Sequence, residues 1–196
     1  MKEIVQDGAK VLRDVAQPVP EELFGSAKLA KIIEDMKESL DPELEGVALA
    51  APQIGVPYRI FIVRKDRTVP PPPPNEDLSE RDLRISESAP SAVKRNALRN
   101  AKVEQVDIYI NPEIIKTSRK RAPMDEGCLS VRGVYGTAKR HERVTVRAQN
   151  IDGSSFKRGA SKLMAQIFEH EIDHLNGVLF IDHAERLIEV KHTHDA

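Results

Sequence analysis

Leu29, Ile32, Ile33, Met36 and Leu40 recur at the three- and four-residue steps of a helix, and they predict one amphipathic helix early in the chain. Ser26 stands where an N-cap hydroxyl belongs, and Asp41-Pro42 ends the pattern. The period then vanishes through Gly46-Val47-Ala48-Leu49-Ala50-Ala51-Pro52-Gln53-Ile54-Gly55, a run of small residues carrying a single side-chain amide. Such a run suits backbone that must approach something closely. Two β-branched stretches, Tyr58 to Val63 and Val106 to Ile110, read as strands. Val144, Val146 and Ala148 alternate with polar neighbours and lead to a hairpin turn at Asp152-Gly153, after which the chain returns through Phe156. The final strong period is helical, from about Gly159 to Leu175, with Asn176-Gly177 as a left-handed cap. No internal repeat is visible. The order helix, strands, strands, helix predicts the α+β class, with antiparallel sheets packed around a C-terminal helix.

One stretch fits none of these elements. Pro70 to Pro74 is an unbroken proline run, which favours polyproline II and cannot join a sheet ladder. Asn75 to Lys102 follows with many charges and few large apolar side chains. Residues from about 66 to 104 therefore read as a surface insertion, holding a short helix around Ala92 to Ala101, within one domain spanning 1–196. A tolerated loop extension and a recruited partner site both account for it.

Composition narrows the class of protein. A chain of 196 residues with 40% hydrophobic content builds one core. It lacks the run of about eighteen apolar residues that a membrane helix needs. Met1 to Asp7 has neither the apolar stretch of a secretory signal nor the acid-poor composition of a transit peptide. Cys128 is the only cysteine, so no internal disulfide forms and a reducing cytoplasm is the expected home. A net charge of −1 offers no basic field for nucleic acid, and 4% aromatics without tryptophan offer no base-stacking platform.

The chemistry lies in His170-Glu171-Ile172-Asp173-His174. Histidines four apart on a helix point the same way, so both imidazoles reach one metal ion while the glutamate faces the water on that ion. At about 100 degrees per residue, Leu163, Ile167, His170 and His174 share one arc, and Met164, Phe168, Ile172 and Leu175 extend the apolar surface. Lys162, Gln166, Glu169 and Asp173 form the remaining polar stripe. Two histidines in an apolar arc need either hydrogen-bond partners or a metal. Asp173 is either a carboxylate that orients an imidazole or a solvated acid. A catalytic site needs a third protein ligand and one open position. Glu185, Glu189 and the thiolate of Cys128, in Glu126-Gly127-Cys128-Leu129-Ser130, are the candidates. His141 and His183 read as surface or loop residues, and His192 and His194 as part of a frayed polar tail.

Three separated segments together resemble one family, the peptide deformylases. Gly46 to Gln53 resembles its Gly-apolar-Gly-apolar-Ala-Ala-x-Gln motif, Glu126 to Ser130 matches Glu-Gly-Cys-Leu-Ser in full, and Glu169 to Gly177 resembles Gln-His-Glu-x-Asp-His-Leu-x-Gly. The opening Ile4-Val5-Gln6 with Val11-Leu12-Arg13 is similar to the family's N-terminal strand. Two departures stand out: Ala48 replaces the second glycine of the first motif, and Glu169 replaces the glutamine before the first histidine. Alanine is mild there if φ is negative and strained if φ is positive, and Glu169 on the polar stripe is expected to matter little.

The resemblance implies a monomeric hydrolase that removes the formyl group from formyl-methionyl nascent peptides near the ribosome. It implies that Cys128, His170 and His174 hold one divalent ion, with Fe2+ as the native metal and Zn2+, Ni2+ or Co2+ able to occupy the same ligands. Glu171 becomes the general base, and the Gln53 amide and the Leu129 backbone N–H become oxyanion donors. Val47, Ala48, Gly127 and Ile167 become walls of the methionine cleft, although the aliphatic ones serve equally well as core. Two competing readings are an ordinary zinc endopeptidase with a downstream acid as third ligand, and a binding module that uses Ala48 and the insertion.

Overall fold

The computed structural model describes residues 2–68 and 106–190. Leu29, Ile32, Ile33, Met36 and Leu40 are all buried on helix α1 (Ala27–Leu40), and Ser26 Oγ accepts the Leu29 N–H at 3.2 Å. The early apolar period thus sets one buried face, and a hydroxyl satisfies an otherwise orphaned helix donor. α1 packs on a five-stranded antiparallel sheet made of β1 (Ala48–Ala50), β2 (Ile60–Arg64), β3 (Val106–Thr117), β6 (Arg143–Gln149) and β7 (Ser155–Ser161), in the order β1-β2-β3-β6-β7.

Strand β2 shows why its sequence is apolar throughout instead of alternating. Ile60 and Ile62 pack in the cluster with α1, whereas Phe61 and Val63 pack with the last helix, α3 (Leu163–Leu175). A strand covered on both faces has no solvent side to mark with polar residues. Phe61 stacks on Tyr109 of β3 at 4.5 Å between centroids, and Phe168 of α3 meets these rings at 5.9 and 5.0 Å. This aromatic triple fixes α3 against the sheet.

A second antiparallel sheet, β4 (Arg121–Cys128), β5 (Val131–His141) and β8 (Arg186–Glu189), has the order β4-β5-β8. The helical turn α2 (Lys65–Thr68) closes the first described segment. The proline run, the expected helix around 92–101, and His192 and His194 lie outside the described residues.

Two expectations need correction. Helix α3 starts at Leu163 and not near Gly159, because residues 155–161 pair with β6 from Gln149↔Ser155 to Arg143↔Ser161. The chain changes direction at Lys162, with φ of 53°. The N-terminal segment also forms no ladder strand. Single bonds hold it instead, Val5 N–H to Gln53 O at 2.9 Å and Asp7 N–H to Ser130 O at 2.8 Å, and Lys10–Leu12 makes one 3-10 turn. These two bonds tie one short segment to both motif loops. At the far end of α3, Gly177 has φ of 74°, and a Cβ there would lie 2.4 Å from the Arg13 carbonyl oxygen. Glycine is required both by the left-handed turn and by that close approach.

Candidate active site

Helix α3 carries His170, Glu171 and His174, and the end of β4 delivers Cys128. The β4–β5 register jumps between Gly127↔Tyr135 and Cys128↔Val131, so the ladder breaks at the cysteine. Cys128 Sγ lies 3.2 Å from His174 Nε2, and the imidazole rings of His170 and His174 are 5.0 Å apart at 77°. One donor atom from each of Cys128, His170 and His174 falls within 4.8 Å of the others. The sulfur also accepts from the Ser130 N–H at 3.4 Å and from Gln53 Nε2 at 3.6 Å.

Behind the donors lies a buried ionic chain. His170 Nδ1 faces Glu126 Oε2 at 3.0 Å, which leaves the other ring nitrogen for the centre. Glu126 receives a bidentate guanidinium from Arg140 at 2.6 and 2.9 Å, and Arg140 Nη1 also donates to Asp173 Oδ2 at 2.6 Å. Glu126 and Arg140 are 4% and 5% exposed. Burial alone would raise the Glu126 carboxyl, but bonds from Arg140 and His170 outweigh it and hold that group at about 2. Burial opposes charge on His170, yet its bonds to Cys128 and Glu126 raise it well above the usual histidine range. His174 moves the other way, lowered by burial and by its neighbour His170, and so stays a neutral imidazole able to donate a lone pair. Burial pushes the Glu171 carboxyl up to about 7; His170 opposes the rise and Glu126 adds to it.

Arg140→Met strands the Glu126 charge in a buried site. It is expected to cost about 3–5 kcal/mol of stability and to weaken metal affinity about 10- to 100-fold. Urea unfolding and metal titration read the two effects, and unchanged values in both would show that the chain does not brace His170.

Asp173 thus has a role outside both alternatives read from the sequence: it anchors the Arg140 guanidinium rather than the His170 or His174 imidazole. The polar stripe also needs correction. Gln166 and Glu169 are buried, Gln166 Nε2 donates to the Asp125 carbonyl at 2.7 Å, and Glu169 grips His141 through its backbone N–H at 2.8 Å and Nδ1 at 2.6 Å. His141 is accordingly a partly buried partner joining β5 to α3 and not a free surface residue, and the glutamate that replaces the family's glutamine supplies both bonds. Leu163, expected on the buried arc, is instead 41% exposed at the cleft. Sequence reasoning assigned nothing to Arg140, because Lys139-Arg140-His141-Glu142-Arg143 reads as a solvated charge run.

A cleft of about 630 Å³ opens onto these groups. Val47, Ala48, Gly127 and Ile167 line it, together with Gln53, Leu129, His170 and Glu171. Ile167 also packs in the core beside Phe168, so it serves both settings. Ala48 pairs with Val63 in β1, and the positive-φ non-glycine residues among those described are Asn111 and Lys162, so Ala48 carries no strain. Gln53 Oε1 accepts the Ala50 N–H at 2.8 Å, which fixes the amide with its NH₂ toward Ser130 Oγ at 3.1 Å and the Cys128 sulfur. The alternative third ligands lie elsewhere: Glu185 pairs with Lys139 at 2.5 Å, and Glu189 is exposed on β8.

One thiol and two imidazoles suit a borderline-soft divalent ion. Glu171 Oε2 and His174 Nδ1 are buried without a protein partner, so the residues present fit a centre that binds an ion and a polar reactant.

The comparisons agree with this geometry. Residues 1–189 match the family model for polypeptide deformylase. The peptide deformylase of Halothermothrix orenii is 37% identical over 92% of this chain and 91% of its own. The chloroplastic peptide deformylase 1A of Solanum lycopersicum is 34% identical over 93% of this chain, which spans 59% of that protein's length. A crystal structure of the class I type b peptide deformylase from Acinetobacter baumannii with Met-Ala-Ser bound superposes with a TM-score of 0.70 at 28% identity, covering 93% of this chain and 98% of the other. With motif loops, donor triad and fold all in agreement, the chain belongs to the peptide deformylase family, metal-dependent hydrolases that remove the formyl group from newly made polypeptides.

Proposed function

We propose that Cys128, His170 and His174 are the ligands of one divalent ion and that Glu171 is the general base. The observation that carries this reading is the buried, unpartnered Glu171 Oε2 beside three converging donor atoms. The ion supplies electrophilic pull, which acidifies water and polarises the formyl carbonyl. Glu171 takes the proton of the attacking water and later hands it to the departing amine, so that the C–N bond breaks to give formate and a free N-terminus. The Gln53 amide, its direction fixed by Ala50, and the Leu129 backbone N–H donate to the oxyanion that forms as the carbonyl is attacked. An uncharged amide does this without competing for the ion.

Val47, Ala48, Gly127 and Ile167 hold the methionine side chain and the adjoining backbone. The Met-Ala-Ser seen in the Acinetobacter baumannii enzyme is a product-like peptide of this kind, which supports a formyl-methionyl polypeptide as substrate. In this reading the enzyme meets that substrate in the cytoplasm beside the ribosome, as a monomer of one domain. Among the described residues no helix is long and apolar enough to cross a membrane.

Ferrous iron is the native ion in this reading, since a thiolate with two imidazoles suits it as well as zinc, nickel or cobalt. Protein purified anaerobically should contain about one iron per chain and release formate from formyl-Met-Ala-Ser. Exposure to air should abolish that activity, while nickel-loaded protein keeps it. Equal air stability of the two forms would remove iron, and no formate from any metal form would remove the function.

A further inference from the structure

The cleft continues away from the donor triad between two rims, Pro42 to Gly46 on one side and Val131 to Val134 on the other. The first rim is an irregular segment just after α1, with two internal turn bonds, Glu43 N–H to Leu40 O at 3.2 Å and Gly46 N–H to Glu43 O at 2.9 Å. Two guanidinium groups hold it, Arg64 through Nη1 on the Asp41 carboxylate and Arg67 on the backbone. Arg67, in the turn α2 at the root of the insertion, donates through Nη1 to Glu43 O at 2.5 Å, Gly46 O at 2.7 Å and Leu40 O at 3.3 Å. Its Nη2 donates to Asp41 O at 2.9 Å. Across the cleft, Arg132 reaches the same segment as a fork on the Glu43 carboxylate at 3.1 and 2.6 Å.

The segment leads directly into the reacting groups. A Cβ on Gly46 would lie 2.9 Å from both Leu129 and Leu40 side chains, so Gly46 is wedged between α1 and the residue whose N–H faces the oxyanion. Leu44 at the tip is 88% exposed, so the apolar packing of this rim is at its Gly46 end. Polar fastening from Arg64, Arg67 and Arg132 therefore sets the position of the exposed part, and of these Arg67 grips backbone carbonyls, for which a planar fork with five donors is suited as a lysine is not. The Arg132–Glu43 pair is half in solvent, with the arginine side chain 53% exposed, so its contribution to stability is small and its effect is positional.

The geometry points to Arg67 and Arg132 as positioning residues that fix the Asp41–Gly46 rim as the wall for the polypeptide beyond its first residue. This inference rests on the deformylase reading and extends it to how the enzyme tells a nascent chain from formyl-methionine alone.

The test compares formate release from formyl-Met-Ala-Ser and from formyl-methioninamide by metal-loaded wild type, Arg67→Met, Arg67→Lys and Arg132→Gln. With Arg67→Met, KM for the tripeptide should rise about five- to tenfold with kcat within about twofold, and the tripeptide-to-amide ratio of kcat/KM should fall by a similar factor. Arg67→Lys should not restore the ratio. Arg132→Gln, at an exposed site where misfolding is not expected, should lower it about two- to threefold. An unchanged ratio in Arg132→Gln and in Arg67→Met overturns the inference, whether activity is intact or lost equally on both substrates. Wild-type protein that releases formate from neither substrate refutes the deformylase reading and the inference with it.

Discussion

Glu171→Gln lowers formate release by about a hundred- to ten-thousand-fold while the metal content per chain stays at the wild-type value. The size follows from removing the proposed general base with the geometry otherwise preserved, since the amide has the shape of the carboxylate but cannot accept the proton of water. Metal retention follows from the geometry, because the donor cluster comprises Cys128, His170 and His174 and not Glu171. Stopped assays on formyl-Met-Ala-Ser with parallel metal analysis make the measurement. Turnover near the wild-type rate would end the assignment of Glu171, and simultaneous loss of metal would move it into the coordination shell.

Cys128→Ala gives the complementary result. Removing one of the three proposed protein ligands forfeits much of the binding free energy, so the purified variant should carry little metal and release formate only at background. Glu189→Gln should behave as wild type, because that side chain is exposed on β8. The pair separates this centre from an endopeptidase site with a downstream acid as third ligand. Metal loss in the glutamine variant and not in the alanine variant would reverse the conclusion.

Much of this architecture is readable from residue types because local rules govern it. The α1 period, its serine cap, the β2 and β3 runs and the 144–156 hairpin each follow from spacing within one element, and all are present. The two histidines likewise share one helix. What the chain conceals are polar groups whose partners are distant in sequence. Arg140 and Glu126 are 14 residues apart, and Glu169 and His141 are 28 apart. A charged residue looks the same in a string of letters whether it meets water or a buried counter-ion, so Glu169 and Gln166 read as solvated. The β4–β5 hairpin was hidden for a related reason. Burial alternates along β4, but its inward positions hold Ala122, Met124, Glu126 and Cys128, and Pro123, Gly127, Gly133 and Gly136 interrupt the β-branched pattern that marks a strand. The false helix start near Gly159 arose because a helical period carries no information about where sheet pairing overrides it.

The Cys128 sulfur is 75 residues from the glutamine amide beside it and 46 from the imidazole it faces. Loop closures of that span come late in folding, since their entropy cost precedes any reward. Assembly of the Cys128, His170 and His174 donor cluster is therefore a checkpoint on complete folding: a chain with β4 undocked holds both imidazoles on one helix but lacks the sulfur that completes the cluster.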